Sequence, residues 1–101
     1  MFIEIDLDEE ASRARLSEVD DFKAFAVVAH GPRERFARAA ESIGRVEEGH
    51  VFVDVDALRE LAGDRAQDAD WLAGLNQMLE YAEAKGWTDA EGRVRAHVEW
   101  R

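Results

Sequence analysis

Hydrophobic and polar residues alternate with a period of two near both ends of the chain. Residues 2–7 show the alternation, and residues 93–100 repeat it over a longer stretch, directly after the turn sequence DAEG at 89–92. Such alternation is typical of a strand with one buried face and one solvent-facing side. In the closing strand the apolar face comprises Val94, Ala96, Val98 and Trp100, and the polar face comprises Arg93, Arg95, His97 and Glu99.

The apolar spacing becomes helical between Ala69 and Lys85. Either Asp68 or Asp70 supplies an N-cap, and Gly86 follows as a residue that tolerates the left-handed conformation at a helix end. The sequence therefore predicts a long amphipathic helix. Its apolar stripe consists of residues three and four positions apart, namely Trp71, Leu72, Leu75, Met78, Leu79 and Ala82,.

Two stretches of the N-terminal third have weaker patterns. Residues 22–30 are largely apolar, and the Gly31–Pro32 break ends them after a strand-like length, so they predict a central strand,. Residues 9–19 carry only a thin helical stripe among many charges. They indicate a short helix or an ordered loop.

Glycine and proline divide the middle of the chain into further elements. Pro32 suits the first position of a helix over residues 32–43, and Gly44 is expected to end that helix in a left-handed conformation. Residues 45–49 then predict a turn, and residues 50–55 predict a second central strand,.

A short helix over residues 57–62 is expected next, with Asp56 as its N-cap and Gly63 at its end. A loop over residues 64–70 joins it to the long helix. We therefore predict an α+β fold, a two-layer sandwich of about four strands in a mostly antiparallel or mixed sheet, with three to four helices packed on one face. A chain of this length is expected to form a single domain, residues 1–101.

Composition indicates a soluble globular protein and restricts the classes of partner that it is expected to bind. Hydrophobic residues make up 47% of the chain, and the lack of cysteine excludes disulfides and thiolate metal sites,. The net charge of −10 opposes binding to phosphate backbones,. No apolar run is long enough to span a bilayer, and the first residues do not resemble a signal peptide. We expect a cytoplasmic protein that binds neither nucleic acid nor membrane, and the Arg-rich, Ala-rich usage suggests a bacterial origin.

The three histidines are the first candidates for chemistry. His30, His50 and His97 lack the short spacings that place two metal ligands on one helix face or one turn,. They form a metal or acid–base site only if their strands are neighbours. We expect no metal and no cofactor, with strand-end or solvent-facing histidines as the simpler interpretation.

Two carboxylate pairs follow predicted strands, and each has two interpretations. Asp6 with Asp8, and Asp54 with Asp56, lie where ligands often bind in α/β sheets, and two close acids have separated pKa values. Aspartates after strands are equally the usual residues of turns and helix caps. We expect no catalytic residue here.

The aromatic and cationic residues of the last third are the candidates for binding. Tyrosine and tryptophan are typical anchors of interfaces, and the stripe of basic residues contrasts with the acidic chain. The simpler alternative is that Trp87 makes only the apolar contact that accompanies a helix end at Gly86. The candidate binding residues are Tyr81, Trp87, Arg93, Arg95 and His97.

These features favour a non-catalytic protein-binding module, regulatory or accessory, whose partner is another protein or a second copy of the chain. The alternative is a small-molecule-binding protein or a small enzyme with its site between sheet and helices. The enzyme requires a cavity at which at least two of five residues converge. Those residues are His30, His50, His97, Asp54 and Asp56.

Overall fold

The computed structural model describes residues 1–8 and 13–101, which form an α+β fold with a mixed sheet and three α-helices. The strands are β1 (Phe2–Asp6), β2 (Arg13–Ser17), β3 (Ala26–His30), β4 (Gly44–Glu47), β5 (His50–Val53) and β6 (Val94–Trp100). The helices are α1 (Phe36–Ala40), α2 (Val55–Ala62) and α3 (Ala69–Ala84), with 3₁₀ turns at Arg33–Arg35 and Gly63–Gln67. The α+β class is as predicted, but the sheet has six strands where about four were expected.

The strand order across the sheet is β2-β1-β3-β6-β5-β4. Strand β3 is parallel to β1 and β6, and the other pairings are antiparallel. The central strand predicted at 22–30 is therefore correct for its second half, while residues 22–25 precede β3 without regular structure. Its consecutive buried residues, Ala26, Val27, Val28 and Ala29, have the continuous apolar pattern of an interior strand,.

One cluster of buried side chains joins the strands to the helices. Alternate residues of β1 and β6 contribute to it, as the period of two predicts,. Complete burial of an aliphatic side chain stabilises the fold by roughly 1.5–3 kcal/mol before entropy is counted. Fully or nearly fully buried members include Ile3, Ile5, Val27, Val51, Val53, Leu58, Trp71, Leu75 and Ala96.

Helix α3 and strand β6 agree closely with the sequence prediction. The Asp68 carboxylate accepts hydrogen bonds from the backbone N–H groups of Asp70 (2.8 Å) and Trp71 (3.4 Å), so Asp68 is the N-cap. Gly86 has a φ of 76°, the left-handed conformation expected after the helix,. A bridge between Thr88 and Val94 closes the turn that leads into β6.

The predicted helix or loop at 9–19 is wrong over residues 13–17, which form β2, and residues 9–12 lie outside the described part of the chain. Strand β2 pairs antiparallel with β1, with Leu16 opposite Ile3 and Ala14 opposite Ile5. Its two apolar residues alternate with Arg13, Arg15 and Ser17. A short edge strand with a charged face resembles a polar loop in sequence.

The predicted turn at 45–49 is wrong over residues 45–47, which belong to the edge strand β4 (Gly44–Glu47), and correct for residues 48–49. Gly44 does not adopt the left-handed conformation expected of it. A Cβ at this position would collide with the backbone carbonyl oxygen of Phe52 on β5, so glycine is required by close strand approach,. The preceding helix is shorter than predicted and ends at Ala40.

Helix α2 begins one residue before the predicted cap. Asp56 lies inside its first turn, and Asp54 occupies the N-cap position without a side-chain capping bond. Gly63 ends the helix at a φ of 58°, as expected. Within residues 1–8 and 13–101, no helix combines the length and the apolar character needed to cross a membrane.

Candidate functional site

A cavity of about 300 Å³ lies at the end of the sheet where β6 begins, between α3 and residues 22–25. Helix α3 contributes Met78 and Tyr81, and a neighbouring cavity that shares both residues extends along the helix to Gly74. Gly74, Met78 and Tyr81 are four and three positions apart, so they share one helix face. We name the combined surface the aromatic groove. Its principal residues are Phe22, Met78, Tyr81, Trp87, Arg95 and His97.

The wall formed by residues 22–25 is held in place by packing on α3. The Phe22 ring lies 6.1 Å from the Trp71 ring and covers Gly74, where a Cβ would collide with it. The Trp71 indole N–H donates a hydrogen bond of 2.9 Å to the carbonyl oxygen of Val19. These contacts fix the segment before β3 against the helix.

Tyr81 and Trp87 form the opposite rim of the groove. Their ring centroids are 5.8 Å apart and their planes are inclined at 71°, an edge-to-face arrangement,. The left-handed Gly86 turns the chain so that the Trp87 N–H donates to the carbonyl oxygen of Ala82 and the Trp87 carbonyl accepts from Arg95. Tyr81 is 58% exposed and Trp87 is 37% exposed. Their rings therefore remain open to contact from outside the chain.

Two cations lie beside these rings, and a third lines the groove. The Lys85 ammonium lies 5.5 Å from the centroid of Tyr81, and the Arg95 guanidinium carbon lies 6.0 Å from the centroid of Trp87. Both distances are within the range of cation–π attraction. Lys23 lines the groove from the side of residues 22–25. Aromatic faces and positive charges therefore occupy the same surface.

Arg93 does not belong to this surface. Its Nε donates to Asp54 at 2.8 Å, and its Nη1 lies 3.3 Å from Asp89 and 3.6 Å from Glu91. Arg45 also approaches Asp89, at 3.5 Å. We name Arg45, Asp54, Asp89 and Arg93 the charged cluster. The structure thus brings together four of the five predicted binding residues and places Arg93 elsewhere.

The contacts of the charged cluster shift the pKa values of Arg93 and Asp89. The hydrogen bonds to Asp54 and then to Asp89 raise the pKa of Arg93. Burial raises the pKa of Asp89, but the backbone N–H and guanidinium of Arg93 and the N–H of Glu91 outweigh it, so its pKa is lowered on balance,. Asp89 thereby holds both the turn at 89–92 and the guanidinium in place.

Two of the three histidines converge. His50 and His97 are direct partners in the register of β5 and β6, and both line the aromatic groove. His50 Nδ1 lies 3.3 Å from the carbonyl oxygen of Glu48, and His97 Nε2 lies 3.5 Å from a Glu99 oxygen. Over the described ranges, no group of three or more metal-ligating side chains is arranged to hold an ion.

His30 lies on a different part of the sheet, with its Nε2 3.0 Å from Glu4. The Ser17 side chain, and then His30, lower the pKa of Glu4 by hydrogen bonding to its carboxylate. This contact ties β3 to β1 across two parallel strands. His30 therefore has a local partner and does not face the groove.

The carboxylates of Asp6, Asp54 and Asp56 in the two predicted pairs each contact a different group. Asp6 accepts a hydrogen bond from the backbone N–H of Asp8 at 3.0 Å, as an ordinary turn residue does,. Asp54 and Asp56 both line a second cavity of about 570 Å³. Asp54 is bound to Arg93, and Asp56 lies 3.2 Å from Arg59.

The sequence prediction missed Phe22 and Lys23, because residues 22–30 were assigned wholly to a strand. For Phe22, the sequence holds one indication, which is Gly74. A glycine within a strong helical pattern indicates close packing at that position, and the ring of Phe22 occupies it,.

Comparison with models of protein families, with curated proteins and with solved structures finds no match to this chain.

Proposed function

We propose that this chain is a non-catalytic protein-binding module, regulatory or accessory, and that the aromatic groove is its contact surface. The supporting observation is the pair of exposed rings at the groove. Among the described residues, three large apolar side chains are exposed, and Tyr81 and Trp87 are two of them. Tryptophan, tyrosine and arginine are enriched among the residues that contribute most of the binding energy at protein interfaces.

The positions of the polar groups support binding over catalysis. Of the predicted acid–base candidates, Asp54 is bound to Arg93, and Asp56 lies 3.2 Å from Arg59. Tyr81 and Trp87 in the groove have mainly aromatic and cationic neighbours. Around these two rings the groove therefore provides contact area and positive charge.

Affinity capture from a native cell extract tests this proposal when wild type is compared with Tyr81→Ser. A partner that uses the groove should be retained by wild type and lost by the variant. Glu83→Ser is the matched control, because Glu83 is an exposed residue of the same helix outside the groove. Equal capture by Tyr81→Ser and wild type would refute the groove as the contact surface.

The second candidate is a small-molecule-binding protein or small enzyme using the same groove. It is favoured by the convergence of His50 and His97 at a cavity of about 300 Å³, the low end of the usual size for ligand sites,. A compound that raises the melting temperature of wild type, but not of His97→Ala, would support this candidate.

The remaining parts of the proposal concern arrangement and setting. We propose that the helices pack on one face of the sheet as a two-layer sandwich and that residues 1–101 act as one domain. We also propose that the protein is bacterial and cytoplasmic and that it does not bind nucleic acid or membranes. Its partner is another protein or a second copy of the chain, so both a complex with another protein and a homodimer should be tested. The supporting features are its net charge of −10 and its composition,.

A further inference from the structure

The charge of the aromatic groove is opposite to that of the chain as a whole. The sequence has 23 aspartate and glutamate residues against 13 lysine and arginine residues. None of the described residues lining either part of the groove is acidic, whereas Lys23, Arg95 and two histidines are among them. The two lysines of the chain, Lys23 and Lys85, both lie at or beside this surface.

The cations at the groove differ from most other lysine and arginine residues of the chain because they contact no carboxylate among the described residues. Six arginines approach a carboxylate within 3.6 Å, namely Arg15, Arg45, Arg59, Arg65, Arg93 and Arg101. Lys23, Lys85 and Arg95 have no carboxylate partner within the described parts of the chain. Their charge is therefore not neutralised by the fold, and a bound anion would gain its full interaction with them.

The shape of the groove favours an extended occupant. Its helix side runs from Gly74 to Ala82, about 12 Å at the rise of an α-helix,. An extended peptide covers that distance with about four residues. Alternate side chains of such a peptide point to opposite sides, so one set is available to the rings while the other is available to the cations.

The geometry points to an acidic, partly apolar segment of a partner protein as the occupant of the groove. Carboxylates of this extended segment interact with Lys23, Lys85 and Arg95, and its apolar side chains contact Tyr81 and Trp87. The inference rests on the proposed function and specifies the chemistry of the partner. We choose a partner protein over a second copy of the chain, because two molecules with a net charge of −10 repel each other at long range,.

Isothermal titration of the full chain with defined peptides tests the inference. The probe is a terminally blocked hexapeptide of alternating glutamate and leucine, and the control peptide has glutamine in place of glutamate. We expect saturable binding of the glutamate peptide that weakens as salt is added, and binding of the glutamine peptide weaker by about tenfold or more.

Charge reversal in the protein provides the matched comparison. Arg95→Glu should weaken binding of the glutamate peptide by about tenfold or more, and Lys23→Glu should act in the same direction. Arg38→Glu makes the same charge change on an exposed residue of α1 without a carboxylate partner in the described chain, and it should change affinity less than about twofold,. Lys23 lies outside regular structure, so its variant keeps the test valid if Arg95→Glu does not fold.

Four results would overturn the inference. They are equal affinity for the two peptides, no saturable binding of the glutamate peptide at millimolar concentration, equal weakening by Arg38→Glu, and a dimer of the wild type that Arg95→Glu dissociates. The last result would identify a second copy as the occupant. The proposed function is judged separately, because a partner lost by Tyr81→Ser but kept by Arg95→Glu supports protein binding while refuting an acidic segment.

Discussion

Arg93 and Arg95 are two residues apart, yet one is part of the charged cluster and the other of the aromatic groove. The Arg93 side chain is 27% exposed and contacts three carboxylates. Arg95 lies over the Trp87 ring and has no acidic partner within residues 1–8 and 13–101. Arg93 precedes β6 and reaches the start of α2, whereas Arg95 lies on the strand itself. For these two residues, the position before the strand brings Arg93 to its acidic partners, whereas the position on the strand leaves Arg95 beside the Trp87 ring.

The two regions are also held together by different forces. The groove is built on apolar packing, with Phe22 on Trp71 and Gly74. The charged cluster is built on hydrogen-bonded ion pairs around Asp89, which is only 8% exposed. Apolar packing responds little to salt and pH, while paired charges respond to both. Substitutions in each region should separate these responses.

Trp71→Ala should have the largest effect and should break the groove. The side chain is 2% exposed, and its loss removes core packing and the support of Phe22. The free energy of unfolding should fall by about 3–5 kcal/mol, independently of salt. Urea denaturation followed by circular dichroism measures this change.

Trp71→Phe is the control for that experiment, because it keeps much of the volume and loses the hydrogen bond to Val19. It should cost about 1 kcal/mol for the lost bond, with a further cost for the smaller ring. A loss from Trp71→Ala no greater than that from Trp71→Phe would show that the groove does not depend on this packing.

Asp89→Asn should have a smaller effect that depends on pH. The pKa of Asp89 is lower in the folded state than its unfolded value of about 3.9,. Its ionised form therefore stabilises the fold at neutral pH, and this contribution disappears as pH falls through the folded-state pKa. The difference in unfolding free energy between wild type and variant should be largest near neutral pH and should shrink below about pH 4.

Asp56→Asn serves as the comparison, because the Asp56 side chain is 92% exposed and its one ion-pair partner among the described residues is Arg59. Its stability should differ little from wild type at any pH. A pH-independent loss from Asp89→Asn would indicate that the carboxylate charge is not what holds the turn at 89–92.

The parts of the fold that the sequence predicted well are those whose signals are local. The caps at Asp68 and Gly86 and the alternation of β6 need no distant partner to be recognised. Strands β2 and β4 were missed because each is short, charged and at the edge of the sheet. Such strands form through pairing with β1 and β5, which is information that residues 13–17 and 44–47 do not carry by themselves.

The candidate site likewise has residues that local sequence signals predicted and residues that only long-range contacts place. Tyr81, Trp87, Arg95 and His97 lie on α3, β6 and the link between them, so a correct local prediction brought them together. Lys23 lies in the groove because its segment packs on α3, which is distant in sequence, so the local pattern does not predict this position. Arg93 belongs to the charged cluster because it binds Asp54, which is 39 residues away in the chain and cannot be recognised as its partner from local sequence.

Lys23→Gln should have the smallest effect on stability and compares the two regions directly when paired with Arg93→Gln. Both substitutions remove one positive charge, so they change the overall field equally. Lys23 is exposed and has no carboxylate partner in the described chain, so its loss should change the free energy of unfolding by no more than about 0.5 kcal/mol,. Arg93→Gln removes the guanidinium that binds Asp54 and Asp89, and it should destabilise the protein clearly more, with a difference that shrinks in high salt,. Urea denaturation at low and high salt measures both, and equal losses would mean that the fold uses the cations of the aromatic groove as much as those of the charged cluster.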